Sequence, residues 1–428
     1  MRTKILNTLF IIFLIGLIYN FIQGILFPYT YSSWQISEFM INYQGGFVRR
    51  GLLGEVLYYL AKNYNLDIIL TVKILCTVLF ILVCSFFVYA FRRKGYSLYI
   101  LPLCFFCGAH IISELPILHF WVRKDNLMIL FFILILLVYN KINTHFIIRI
   151  LLINLLSIFV ILNHEVFIFF SLPILFLLLF NHFKPKGNYL ACSYSFACLF
   201  PAVFIFIIVT IAHGDENTAV SIWNSWQQVL PDGISSIGPA VSALGWDGVQ
   251  IFKMHFLNNF FTITEDSIWT LLMWAIILPV IYYISVNVLL VFRKKPNIYT
   301  EKHKTILSSV FLFQLFCLFP VFCILSCDFA RIFFYLSASS FAIFLIVPFH
   351  LLENLFPPII NKLAFRINQQ ADMILPPTKS SVAFLMIFIG VSNNFTFCLN
   401  EAASNSLLIS TLRTISLFFK SIVELFSI

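Results

Sequence analysis

Apolar runs long enough to cross a lipid bilayer recur along almost the whole chain, and no other sequence feature limits its fold so tightly. A hydrocarbon core about 30 Å thick takes roughly 20 apolar residues per helical crossing. Candidate crossings lie near 5–27, 68–91, 98–112, 125–140, 147–162, 166–180, 190–212, 268–292, 305–325, 332–352 and 381–397. The expected fold is all-α, a single polytopic membrane domain over 1–428. It would have about 11 transmembrane helices, within a range of about 10–12. A soluble fold fails for want of polar surface. Charged residues are 11% of the 428 and apolar residues 61%, with a mean hydropathy of +0.96. Soluble domains carry about 25% charged residues.

The first run follows Met1-Arg2-Thr3-Lys4 and ends before Phe27-Pro28-Tyr29. It is longer than a signal-peptide core and lacks a small-residue cleavage site, so it is expected to be retained as the first span. The ten cysteines lie in or beside apolar runs. Even the Cys104–Cys107 pair lacks a second pair to complete a zinc site, so all read as small buried hydrophobes.

Orientation follows from Lys and Arg in the short loops. With the N-terminus in the cytoplasm, 17 of the 27 basic residues fall inside, Lys73 falls within a span and nine fall outside. The net charge of +9 is therefore explained by topology, and no nucleic-acid partner is expected. Acidic residues behave oppositely. Only Glu301, Glu353 and Asp372 fall inside. Two outer loops are long, near 28–67 and 213–267, and both carry tryptophans expected at the headgroup level. The segment 405–428 has one-sided polar spacing and reads as an interfacial amphipathic helix.

Four polar clusters share the predicted outer face. The first is Gly45-Gly46-Phe47-Val48-Arg49-Arg50-Gly51. Its glycines permit sharp bends, and a helix starting at Leu52 beside two arginines suits a phosphate. The alternative is a turn whose arginines grip lipid headgroups. The second cluster is Arg123-Lys124-Asp125, either an anion site or a snorkelling pair with a capping Asp125. The third is Asn163-His164-Glu165, between two short apolar helices. Glu165 with His164 could act as a general base, or the turn could be only mutually satisfied. The fourth is Asp328-Phe329-Ala330-Arg331, where Asp328 and Arg331 share a helix face. Arg331 could bind an anion with Asp328 as orienting group or base, or the two could form a structural pair. Together these predict one outward polar cavity with cations for a phosphate or pyrophosphate. Metal ligands, a nucleotide fingerprint and a nucleophile elbow are not evident, so neither metal nor other cofactor is expected.

The layout, with the run from Asn42 to Gly54 and the other outer clusters, resembles bacterial envelope glycosyltransferases that use polyprenyl-linked sugars. The nearest resemblance is to O-antigen and capsule repeat-unit polymerases of the inner membrane. It implies metal-independent transfer of a glycan from undecaprenyl pyrophosphate to a lipid-linked repeat unit on the periplasmic face. Under it, Arg49, Arg50 and Arg331 stabilise the pyrophosphate, and Arg123 with Lys124 binds the second one. Gly45 and Gly46 let the backbone approach, and Glu165 with His164 deprotonates the acceptor. Expected partners are the lipid-linked oligosaccharide, membrane lipids, and a chain-length regulator or flippase. The runner-up is a C-type glycosyltransferase with a monophosphate-linked donor, whose acidic residue in the first outer loop would be Glu38. Its usual paired-acid signature is absent. A transporter or flippase would want charges along a midplane path, where Lys73 is the main candidate. A membrane O-acyltransferase would rest on His164, whose surroundings match poorly.

Overall fold

A computed structural model describes residues 25–101, 122–141, 145–230, 236–246, 265–292, 299–321 and 329–390, with isolated positions elsewhere. The described residues are helical, without strands. Four helices are long and apolar enough to cross a membrane: Ile68–Arg93, Phe167–Lys186, Asn188–Ile211 and Glu301–Pro320. Shorter apolar helices cover Asp125–Asn140, Phe146–Ile161, Leu278–Val291 and Phe333–Ile346. The architecture is compatible with a membrane protein.

In chain order the helices are α1 (Trp34–Phe39), α2 (Leu52–Tyr64), α3 (Ile68–Arg93), α4 (Asp125–Lys141), α5 (Phe146–Ile161), α6 (Phe167–Phe183), α7 (Asn188–Ile211) and α8 (Glu216–Val229). There follow α9 (Pro239–Ser242), α10 (Glu265–Val291), α11 (Glu301–Pro320), α12 (Phe329–Ile346), α13 (Phe349–Glu353), α14 (Pro358–Ile374) and α15 (Lys379–Gly390). At 26 residues, α3 is about 39 Å long, which exceeds a hydrocarbon core. Asp67 caps its first turn by accepting from the Leu70 amide at 3.0 Å, and Arg92 and Arg93 complement the dipole of its last. Helices α3, α4, α5, α6, α7, α10, α11 and α12 share one apolar core. Their outward faces are apolar too, as Ile74 and Val78 of α3 and Phe200 and Phe204 of α7 illustrate. A helix apolar on both sides suits lipid, not water.

The two long loops expected on the outer face are more than surface belts. Residues 29–61 and α8 share a second core around Phe39, Met40, Tyr58, Trp223 and Trp226. The tryptophans at 223 and 226 are buried, which corrects their expected place at the headgroups. The period of α8 is the reason. Ala219, Ile222, Trp223 and Trp226 form one stripe, and the Trp226 indole N–H finds a partner in the Met40 carbonyl at 2.7 Å. Trp246 is more exposed and lies beside Trp34. The two segments thus form a cap over the bundle end where α3, α4 and α6 begin and α5 and α7 finish.

At the other end, α14 packs on α11, and the buried Lys304 ammonium pairs with Asp372. Lys73 sits in the second turn of α3, where its Nζ donates to the Ile25 and Phe27 carbonyls at 3.0 and 2.7 Å. It is therefore about 8 Å from the start of α3, on the cap side and away from mid-helix. The expected helix over 405–428 and most of the span at 98–112 lie outside the described residues.

Candidate functional site

The polar groups of the cap and of the bundle end meet at one place. From the cap come Glu38 in α1 and Arg49 and Arg50 just before α2. From the bundle come Lys124, preceding α4, and the Asn163-His164-Glu165 turn between α5 and α6. These positions run from 38 to 165, and only the docking of cap on bundle brings them together.

Glu165 is the hub. Arg50 grips it in a two-pronged fork, Nε to Oε2 at 2.9 Å and Nη2 to Oε1 at 2.6 Å. Arg49 Nη1 stands 3.5 Å from the same Oε1. Burial alone would raise the Glu165 carboxyl, but Arg50, then His164 and Arg49, hold it well below the usual carboxylate range. Behind it lies an imidazole between two carboxylates. His164 Nδ1 faces Glu165 Oε2 at 3.9 Å, and Nε2 faces Glu38 Oε1 at 3.7 Å. The Val166 amide donates to His164 Nδ1 at 3.4 Å, which favours the tautomer with its proton on Nε2, toward Glu38.

Backbone geometry fixes the arginines. Arg50 has a positive φ of 65°, which non-glycine residues seldom adopt. Lys124 Nζ donates to its carbonyl at 3.0 Å. The Arg49 amide donates to the Ala212 carbonyl at 2.9 Å, tying the loop to the end of α7. Asn163 bridges cap and bundle: its Oδ1 accepts from the Leu53 amide at 3.0 Å and its Nδ2 donates to Phe159 at 2.8 Å. One donor of the α2 N-terminus is therefore already taken, which weakens that helix end as a phosphate cradle.

The site is graded in depth. The Arg49, Arg50 and Glu165 side chains retain 19%, 23% and 16% exposure, whereas those of Glu38 and His164 retain 1% and 3%. Lys124 is fully buried, and burial lowers its ammonium to about 8 against the pull of Glu38. Burial also lowers Arg49, with Glu165 opposing and Arg50 adding to the shift.

The remaining candidates divide. Arg123 is buried, and its carbonyl accepts a long bond from Cys76 Sγ at 3.8 Å. Asp125 opens α4 and takes a hydrogen bond from Tyr335. Burial of Arg123 and Lys124 within the protein excludes the snorkelling alternative. Gly45, expected to let the backbone approach a ligand, instead stands against α8: a Cβ there would lie 2.7 Å from the Thr218 carbonyl oxygen. It serves the packing of the cap. Gly46, at φ +110°, has open space around its α-carbon. Asp328 and the side chain of Arg331 lie outside the described residues, so the expected pair is not placed with the others.

Two residues escape sequence reasoning. Glu55 receives the Tyr43 amide and the Gln44 side-chain amide, each at 2.8 Å, and so shapes the glycine–arginine loop. Its position in the first turn of α2 was the available signal. Tyr335, the partner of Asp125, carries none. Among the described residues no group of His, Cys, Asp and Glu could hold a metal ion. Protein-family models, curated proteins and solved structures give no match to this chain.

Proposed function

We propose that the chain is a membrane glycosyltransferase acting on glycans linked to undecaprenyl pyrophosphate, of the O-antigen or capsule repeat-unit polymerase kind. In this reading it crosses the bacterial inner membrane about 11 times. The N-terminus is cytoplasmic, and the cap faces the periplasm. The observation that carries it is the meeting of Arg49, Arg50 and Lys124 with the Glu165–His164–Glu38 line under the cap, at the bundle end opposite Arg92, Arg93, Lys184 and Lys186.

Each part has a chemical task. The acceptor hydroxyl oxygen attacks the anomeric carbon, and the bond from that carbon to the pyrophosphate oxygen breaks. The electron pair leaves with the polyprenyl pyrophosphate. Arg49 and Arg50, at the exposed edge, stabilise that growing charge, with the Lys124 ammonium behind them. Glu165 accepts the hydroxyl proton, and His164 and Glu38 stabilise it through the hydrogen-bond line behind. The line is longer than hydrogen-bond length at rest, as catalytic contacts often are before substrate binds.

Glu38 keeps the C-type reading in view. Its carboxylate lies within the cluster, in the first cap segment, as a donor carried on a polyprenyl monophosphate would require. The position of Lys73 near the cap argues against a midplane transport path. Single replacement of Arg49, Arg50 and Glu165, with glycan length followed on a gel, tests the assignment. Shortened or absent polymer is expected. Full-length polymer from all three variants overturns it, and a single added sugar in the native protein favours the C-type reading.

A further inference from the structure

The fork of Arg50 is already occupied. Nε and Nη2 of a guanidinium match a carboxylate and a phosphate with the same two-pronged geometry. Glu165 uses that geometry in full, at 2.9 and 2.6 Å, and shares Arg49 at 3.5 Å. The pair sits at the exposed edge of the cluster, where a ligand must enter, and not in its buried depth. Exposure of 16–23% leaves the pair mostly buried yet reachable from outside, unlike Glu38 and His164 behind it.

We propose that Glu165 is a specificity-determining residue, an internal stand-in for phosphate that admits only ligands with two or more negative charges. This deepens the pyrophosphate reading and rests on it. Glu165 is tethered, so it has already lost the freedom that a dissolved anion must give up on binding. A ligand with one charge offers Arg50 only what Glu165 offers and loses that competition. A pyrophosphate offers more. One phosphate takes the Arg50 fork, while the other meets Arg49, whose Nη1 also leaves Glu165.

Displacement also has a chemical consequence. While gripped by two guanidiniums, Glu165 is a poor base. Released, its carboxylate still adjoins His164 Nδ1, now 3.9 Å away. The ligand thereby generates the base that its own transfer requires, and a site without pyrophosphate stays inert toward acceptor hydroxyls and water.

The test is equilibrium dialysis of labelled inorganic pyrophosphate against the full chain in detergent, with dimethyl phosphate as a singly charged competitor. The native protein should bind pyrophosphate and ignore dimethyl phosphate. Glu165→Gln should bind pyrophosphate at least tenfold tighter and let dimethyl phosphate compete. Glu165→Asp, one methylene shorter, should fall between them and stands in should the first variant misfold. Equal or weaker binding by folded Glu165 variants overturns the inference while leaving the anion site intact. Absence of pyrophosphate binding by the native protein and both variants overturns the inference and the pyrophosphate reading together.

Discussion

Lys124 Nζ donates to the carbonyl oxygen of Arg50 at 3.0 Å, joining residues 74 positions apart. A fully buried ammonium thus holds a residue whose φ of 65° is unfavourable for any side chain but glycine's hydrogen. The guanidinium of that strained residue is the one that grips Glu165.

This relationship predicts a pH dependence. Burial lowers Lys124 to about 8, so its charge is lost as pH rises through 8 while both arginines stay charged. Pyrophosphate affinity should fall roughly tenfold between pH 7 and 9.5, the effect of removing one nearby charge. Lys124→Met should bind weakly and flatten the profile in the same dialysis assay. Folding stability moves the other way. The folded value lies below the unfolded one, so the unfolded chain holds the extra proton from about 8 up to the ordinary lysine value, and stability rises with pH across that window.

Arg50→Lys keeps the charge and discards the fork. A lysine presents a single point of contact where the two-pronged geometry is needed. The variant should lose on the order of tenfold in pyrophosphate affinity, equivalent to about 1.4 kcal/mol. Dialysis of purified protein measures it, and native affinity would remove the fork from the account.

His164→Ala and Glu38→Gln should slow polymer extension by about 10²- to 10⁴-fold, the usual contribution of a positioned acid or base. Pyrophosphate binding should survive, because both side chains lie in the buried depth of the cluster, behind the arginines at its exposed edge. Parallel loss of binding and extension would instead mark the pair as part of the anion site. The rate of ladder growth on a gel, set beside dialysis, separates the two.

Gly54→Ala probes the seat of the cap. A Cβ at position 54 would lie 1.8 Å from the Ile41 carbonyl oxygen, and backbone has nowhere to go. A cost of about 3 kcal/mol, the upper end of the usual range for overpacking, follows from such a clash. The variant should lose much of its folded yield and melt earlier in detergent, although Gly54 is no part of the polar cluster.

Much of the bundle is legible from residue order. Apolar run length located α3, α4, α5, α6 and α7 to within a few residues, and the polar triplet at 163–165 marked the turn between α5 and α6. The cap was harder to see. Tryptophan beside charged residues reads as a headgroup anchor, and only the docking of α8 on residues 29–61 buries Trp223 and Trp226. Helix α14 lay hidden in what reads as an inside segment, because its buried stripe is narrow, with Ala364 and Asn368 at its centre. Arg49, Arg50, Lys124, His164 and Glu165 all stand out in the sequence. Their pairing does not, since the grip of Arg50 on Glu165 spans 115 residues.

Asn163 has a mechanical meaning. One amide side chain rivets the last turn of α5 to the first turn of α2, at 2.8 and 3.0 Å. A tilt of the α5–α6 hairpin is therefore felt at the arginine loop through this bond, so Arg50 and Glu165 share one support. Rotation about their side-chain bonds is enough to part them. An opening of that kind needs no backbone excursion, and rotamer changes are fast beside the movement of a helix.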